Sequence, residues 1–106
     1  MSYAIAQNSP QSSPIDGLWV LLVPEGNEKV PMVARSANGI FLLAFRTGHG
    51  ARKFMSDSSI DGAEPRMVLP ASAPSVLDLA TGRGASAVLV DYDAATQNYR
   101  SAVALA

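Results

Sequence analysis

The apolar residues of this chain occur in short runs separated by turn-forming residues. Residues 18–23 are apolar at every position, so both faces of a strand formed by them would be apolar. This pattern is typical of a strand covered on both faces. Residues 30–35 and 40–45 form two further runs on either side of Asn38 and Gly39. Because Asn-Gly readily adopts the positive φ angles of a two-residue type I′ turn, the pattern predicts a hairpin centred on these two residues.

The spacing of apolar residues lengthens after residue 45. Ala51, Phe54 and Met55 recur at intervals of three and four, which places them on one face of a helix. Thr47 precedes this segment and is a suitable N-cap residue, because its hydroxyl can accept a hydrogen bond from a free backbone N–H. We therefore predict a short helix that begins after Thr47.

The second half of the chain is predicted to contain a strand, a helix and another strand. Residues 66–69 and 87–90 are short apolar runs of the strand type. Between them, Pro74 suits the first turn of a helix. Ser75 and Asp78 have the spacing of a capping pair for the start of this helix.

Residues 94–106 permit two interpretations. Tyr99, Ala102 and Val103 have helical spacing, whereas residues 99–103 also alternate in the manner of a strand, which we favour. The predicted order is then βββ-α-β-α-β with this possible last strand. The predicted fold class is α/β (α+β), a mixed β-sheet with two helices packed on it.

The length of 106 residues is typical of one domain. Residues 1–14 contain no charged side chain and are rich in Ser, Pro and Gln. Such a segment buries too little apolar surface to offset the entropy lost on ordering. We predict a flexible N-terminal tail over residues 1–14 and a single α/β domain over residues 15–106.

Composition excludes several classes of function. With 8 basic and 9 acidic residues the net charge is −1, so no extended basic face is available for nucleic acid. The absence of cysteine and the single histidine exclude a disulfide framework and a multi-histidine metal site within one chain. The apolar runs are too short to cross a membrane. We expect a cytoplasmic protein without a cofactor.

Residues 18–20, Val30-Pro31 and residues 38–47, followed by the predicted helix, resemble the amino-terminal domain of the enhanced-serine-sensitivity (SseB-like) family. In that family a glycine-containing turn and a strand ending in Leu-x-x-Phe-Thr-Ser lead into the first helix. Here Phe45 is followed by Arg46, Thr47 and Gly48. The resemblance covers about residues 18–90. It implies an α/β fold and a bacterial, cytoplasmic, non-catalytic role, and it supplies no catalytic motif.

The segment between the third predicted strand and the first predicted helix contains a cluster of basic side chains, the single histidine and two glycines. A helix N-terminus presents free N–H groups, so a phosphate or a carboxylate is a suitable ligand there. The alternative is that the threonine caps the helix, the glycines allow the turn and the cations are solvated. The candidate ligand-binding residues are Arg46, Gly48, His49, Gly50, Arg52 and Lys53.

Three functional hypotheses remain. The first is a non-catalytic interaction or regulatory module with a protein partner, in which an exposed sheet edge makes a homodimer plausible. The second is an anion- or nucleotide-binding domain that uses residues 46–53. The third is a small enzyme in which His49 works with Asp57 or Asp61; it lacks a Gly-x-Ser-x-Gly nucleophile turn.

Overall fold

The computed structural model describes residues 13–105. Within them, seven strands and two helices follow one another in an order that matches the predicted one, except that the second strand is split in two. The elements are β1 (Trp19–Glu25), β2 (Glu28–Pro31), β3 (Val33–Ser36), β4 (Gly39–Phe45), α1 (Gly48–Asp57), β5 (Glu64–Met67), α2 (Ala73–Gly82), β6 (Ala87–Val90) and β7 (Ser101–Ala104). The predicted fold class, a mixed sheet with two helices, is confirmed.

All strands belong to one sheet, whose main path runs β2-β1-β4-β6-β7. Strand β5 pairs with β1, and β3 pairs with β4. The β4–β6 pair is parallel and the other pairs are antiparallel. Strands β2 and β3 are two halves of one extended run with Met32 between them, and the Met32 N–H donates to the Leu21 carbonyl (2.7 Å). The first half pairs with β1 and the second with β4.

The predicted hairpin joins β3 to β4, but its turn differs from the predicted one. Ser36 pairs with Gly39, so Ala37 and Asn38 form the connection and Gly39 already belongs to the strand. Gly39 has φ +137°, and Asn38 is not among the positive-φ residues, so the type I′ prediction is wrong. The Ser36 hydroxyl accepts a hydrogen bond from the Asn38 N–H (3.1 Å) and stabilises the turn one position earlier.

Buried side chains on the two faces of the sheet contact different helices. Val20, Leu42 and Val88 pack with Ala73 and Ala80 of α2. On the opposite face, the α1 residues Ala51 and Phe54 pack against four sheet residues, which are Leu21, Leu43, Phe45 and Leu89. The result is three layers with one helix on each face, so the central strands are covered on both sides as their uninterrupted apolar runs predict.

The helix starts were predicted with unequal success. The Thr47 hydroxyl accepts a hydrogen bond from the Gly50 N–H (2.9 Å), which confirms the predicted N-cap of α1. Helix α2 is capped at Ser72 instead of Ser75, so that prediction is wrong. Pro74 does lie in the first turn of α2, as predicted, where a backbone N–H would have no intrahelical acceptor. The Ser72 hydroxyl instead donates to the Leu69 carbonyl (3.1 Å).

The two ends of the described segment bear on the predicted tail and on the predicted last strand. The last described segment forms β7, which confirms the favoured strand interpretation. The predicted tail lies outside the described residues up to residue 12. Ile15 is fully buried in the core, and the Ser13 hydroxyl donates to Asp16 Oδ1 (3.0 Å). None of the described helices has the length and apolar character needed to cross a membrane.

Candidate functional site

A cleft lies at the carboxyl ends of the parallel strands β4 and β6. Helix α1 follows β4, and the segment that leads to β7 follows β6. Open α/β sheets commonly bind ligands outside the carboxyl ends of their parallel strands. The cleft has a volume of about 290 Å³ and is lined by residues of α1 and of the segment that follows β6, including Asp91, Tyr92 and Asp93.

The predicted anion-binding residues do not converge on this cleft. Arg46, Gly50 and Lys53 line it. Gly48 instead lies against Trp19, since a Cβ atom at this glycine would be 3.2 Å from the indole ring. His49 and Arg52 are exposed and do not line the cleft. One strand-to-helix segment thus directs its side chains to two different surfaces.

Both cations of the cleft have carboxylate partners. Arg46 Nε lies 2.5 Å from Asp91 Oδ2, and the Arg46 N–H donates to Asp91 Oδ1 (3.0 Å). Lys53 Nζ lies 2.6 Å from Asp57 Oδ2, and this hydrogen bond raises the pKa of Lys53. A bound anion would have to compete with two carboxylates already in place. Anion binding by residues 46–53 stays a prediction.

The base of the cleft is aromatic. The Phe45 and Phe54 rings have centroids 5.4 Å apart, and the Tyr92 ring lies 6.3 Å from that of Phe54. Both phenylalanines are buried, so these rings belong to the core beneath α1 as much as to the cleft. Tilted contacts of this kind stabilise the packing of α1 on the sheet.

His49 and Asp57 are not brought together. They occupy opposite ends of α1, eight positions apart, which corresponds to about 12 Å along the helix axis. Asp57 is instead bound to Lys53. A direct hydrogen bond between the imidazole and this carboxylate, one of the two pairings in the enzyme hypothesis, is therefore absent. No group of three or more potential metal ligands occurs within residues 13–105.

A second surface is formed by the outer edge of β7. All four residues of this strand are exposed, and Val103 has 38% of its surface accessible. The strand pairs with β6 on one side, and no other described strand pairs with it on the other. Sequence reasoning missed the specific residues of this edge. The available signal was that Ser101–Ala104 carries no charge although it forms the last strand of a sheet.

Hydrogen bonding determines which backbone groups of β7 point outward. The Leu105 N–H donates to the Ser86 carbonyl (2.9 Å). Because bonded and non-bonded pairs alternate along antiparallel strands, Val103 and Ser101 also direct their N–H and C=O groups toward β6. Ala102 and Ala104 direct theirs away from the sheet. They present two free donors and two free acceptors within the described residues.

Strand β5, which pairs only with β1 among the described strands, is built differently. The Val68 N–H donates to the Leu18 carbonyl (2.8 Å), so the same alternation directs Pro65 and Met67 outward. Pro65 has no N–H to offer. This edge also carries charge, because Glu64 forms ion pairs with Lys29 (2.7 Å) and with Arg66.

Comparison with known proteins adds no relative. The chain matches no protein-family model, no curated protein and no solved structure. The resemblance to the SseB-like family therefore stays a prediction. Of the two surfaces described above, the cleft contains two ion pairs of its own, whereas the β7 edge presents backbone groups that pair with no other described strand.

Proposed function

We propose that this chain is a non-catalytic interaction module of the SseB-like type, and that it binds a protein partner by accepting an additional strand on β7. The observation that carries the proposal is the difference between β7 and β5, two strands that each pair with one described strand only. The β7 edge offers outward N–H and C=O groups at Ala102 and Ala104, with no charged side chain on the strand. The β5 edge lacks a donor at Pro65 and carries an ion-pair network.

This difference matters because unpaired strand edges tend to associate with other strands. Natural sheets protect such edges with proline, with charged side chains or with a covering element. The chain uses the first two devices at β5 and neither at β7. A peptide strand added to β7 would gain backbone hydrogen bonds, and the alternate side chains would contact both faces of the sheet.

The proposal is tested with a photoreactive amino acid placed at Val103 and, as a matched control, at Met67 on the β5 edge. Both side chains are similarly exposed, at 38% and 41%. Irradiation in the source cells should produce protein adducts at position 103 and not at position 67, because strand addition occurs at β7.

A second substitution tests whether the adducts depend on the strand edge. Ala102→Pro removes an outward N–H without affecting a bond to β6, so the adducts at position 103 should disappear. Ala94→Pro, in the exposed loop after β6, makes the same chemical change away from the edge and should leave them intact. Adducts at neither position, or equal adducts at both, would contradict the proposal.

A further inference from the structure

We infer that the strand accepted by β7 is β7 of a second copy of this chain, paired antiparallel with Val103 on the two-fold axis. This inference rests on the proposed function, because it names the partner of the same edge. It follows from the backbone pattern, the side chains and the charges at this end of the sheet.

The outward backbone groups of β7 are self-complementary. Ala102 and Ala104 are the outward-bonding residues, and they are two positions apart. An antiparallel register that places Ala102 opposite Ala104 of the second copy makes both residues hydrogen-bonded pairs at once. By symmetry the two alanines form four hydrogen bonds. Val103 then lies opposite its own counterpart, in a non-bonded pair on the two-fold axis.

The side chains of β7 permit this close approach. Ala102 pairs with Leu89 and therefore lies on the α1 face, where Ala104 also lies. Both are small and present no steric obstacle. Val103 pairs with Val88 and lies on the α2 face. Self-pairing would bury its exposed surface against the same side chain of the second copy, a favourable contact for a β-branched residue in a sheet.

Charge complementarity at the strand ends favours the same register. Asp78 of α2 lines an apolar groove of about 360 Å³ together with Ala104 and Leu105. In this register Arg100 of the second copy lies one position beyond Leu105, at the end of the strand beside this groove. An arginine side chain is long enough to reach toward Asp78 from there, so each dimer would bring opposite charges together at both ends of the paired strands.

The size of the contact determines how strong the dimer is. A strand of four residues with small side chains buries less than the roughly 1,000 Å² of a stable interface. The dimer is therefore expected to dissociate on dilution. An unrelated partner strand would use the same two alanines, but it would not require a symmetric register.

Sedimentation velocity over a dilution series tests dimerisation directly. The wild-type mass should rise from 11.1 kDa toward twice that value with concentration. Ala102→Pro should stay monomeric throughout with an unchanged circular dichroism spectrum, whereas the control Ala94→Pro should behave as the wild type. A wild-type chain that is monomeric at every concentration would overturn the inference, as would an Ala102→Pro variant that dimerises normally.

Disulfide trapping tests the register. The natural chain contains no cysteine, so a single introduced thiol reports only its own counterpart. In the proposed register the two Val103 Cα atoms lie about 4.5 Å apart, within the range of a disulfide. Val103→Cys should form a covalent dimer under mild oxidation. Ala102→Cys should form no covalent dimer, because Ala102 is offset by two positions from Ala102 of the second copy. A covalent dimer of Ala102→Cys and none of Val103→Cys would refute the register.

The two proposals can fail separately. If the wild type is monomeric and the photoreactive residue at 103 captures a different protein in an Ala102-dependent manner, the dimer is wrong and the interaction module stands. If there is neither a dimer nor an adduct, both are wrong. A self-adduct at position 103 together with a disulfide at the same position supports both.

Discussion

At the scale of single residues, two glycines at the end of α2 have opposite requirements. Gly84 has φ +96°, and a Cβ atom added there would lie 2.9 Å from the Ile40 side chain. Gly82 has no atom within 4 Å of such a Cβ. The positive φ and the contact with Ile40 both make Gly84 a necessary glycine, whereas Gly82 is a replaceable one.

We expect Gly84→Ala to lower the free energy of unfolding by about 1–3 kcal/mol, because an L residue in this conformation is strained. Gly82→Ala should leave it unchanged or raise it by up to about 1 kcal/mol, through better helix propensity. Urea denaturation of both variants measures the difference. Equal stabilities would show that Ile40 and the backbone adjust without cost.

Single residues also show where sequence reasoning stops. The Thr47 cap was predictable because it depends on neighbours within three positions. The pairing of Arg46 with Asp91 was not, since these residues are 45 positions apart and only the fold brings them together. That pairing changes the character of the cleft, because the cation assigned to a ligand already has a counter-ion.

At the scale of elements, one carboxylate of β5 adds a link to β2, beyond the backbone pairing of β5 with β1. Glu64 on β5 forms ion pairs with Lys29 on β2 and with Arg66 on its own strand. Strand β1 lies between β2 and β5, so the bond from Lys29 reaches across it. The hydrogen bonds from Lys29 and then Arg66 lower the pKa of Glu64 to about 2, from an ordinary value of 4.5.

This shift predicts a dependence of stability on pH. A depressed folded-state pKa contributes stability that is fully present above pH ~4.5 and is lost as the pH falls through about 2. Glu64→Gln should therefore remove part of the acid sensitivity, measured as the urea midpoint between pH ~5 and about 2. Glu28→Gln, which removes a carboxylate with no ion pair among the described residues, is the control. If the urea midpoint changes with pH at the same slope in both variants, the role assigned to Glu64 is excluded.

Elements were predicted better than their boundaries. The strands and both helices follow from apolar periodicity, which is a local property. The turn at Ala37 and Asn38 was missed by one position, because the Ser36 hydroxyl accepts a hydrogen bond from the Asn38 N–H. The start of α2 at Ser72 was missed by three positions, and the Ser72 hydroxyl bonds to the Leu69 carbonyl instead of the helix. Apolar spacing alone does not reveal such local hydrogen bonds.

At the scale of the whole molecule, the sheet is protected at one end and open at the other. The sequence predicts the layers and an exposed edge, but neither strand pairing nor the direction of backbone groups follows from periodicity. Residues 102 and 104 acquire their importance only from the register of β7 on β6. The missing charge on Ser101–Ala104 is a signal of an open edge, but no chemical motif identifies residues 102 and 104 in particular.

Amide hydrogen exchange should reflect this asymmetry. The Val103 N–H points toward β6 and should be protected at all concentrations. The Ala102 and Ala104 N–H groups point outward and should exchange rapidly in dilute solution, then more slowly as dimers form. Nuclear magnetic resonance at two concentrations measures the exchange rates of all three amides side by side. Equal protection at the three positions would contradict the assigned backbone orientation.

The parallel pairing of β4 with β6 has a kinetic consequence. Strands β1 to β4 are neighbours along the chain and associate by closing short loops, which costs little entropy. The contact between Ser86 and Ile40 instead joins residues 46 positions apart. The slow part of folding is therefore expected to be the pairing of β6 with the already associated strands β1 to β4, and until then the nascent polypeptide exposes the apolar edge of β4 to the surrounding cell.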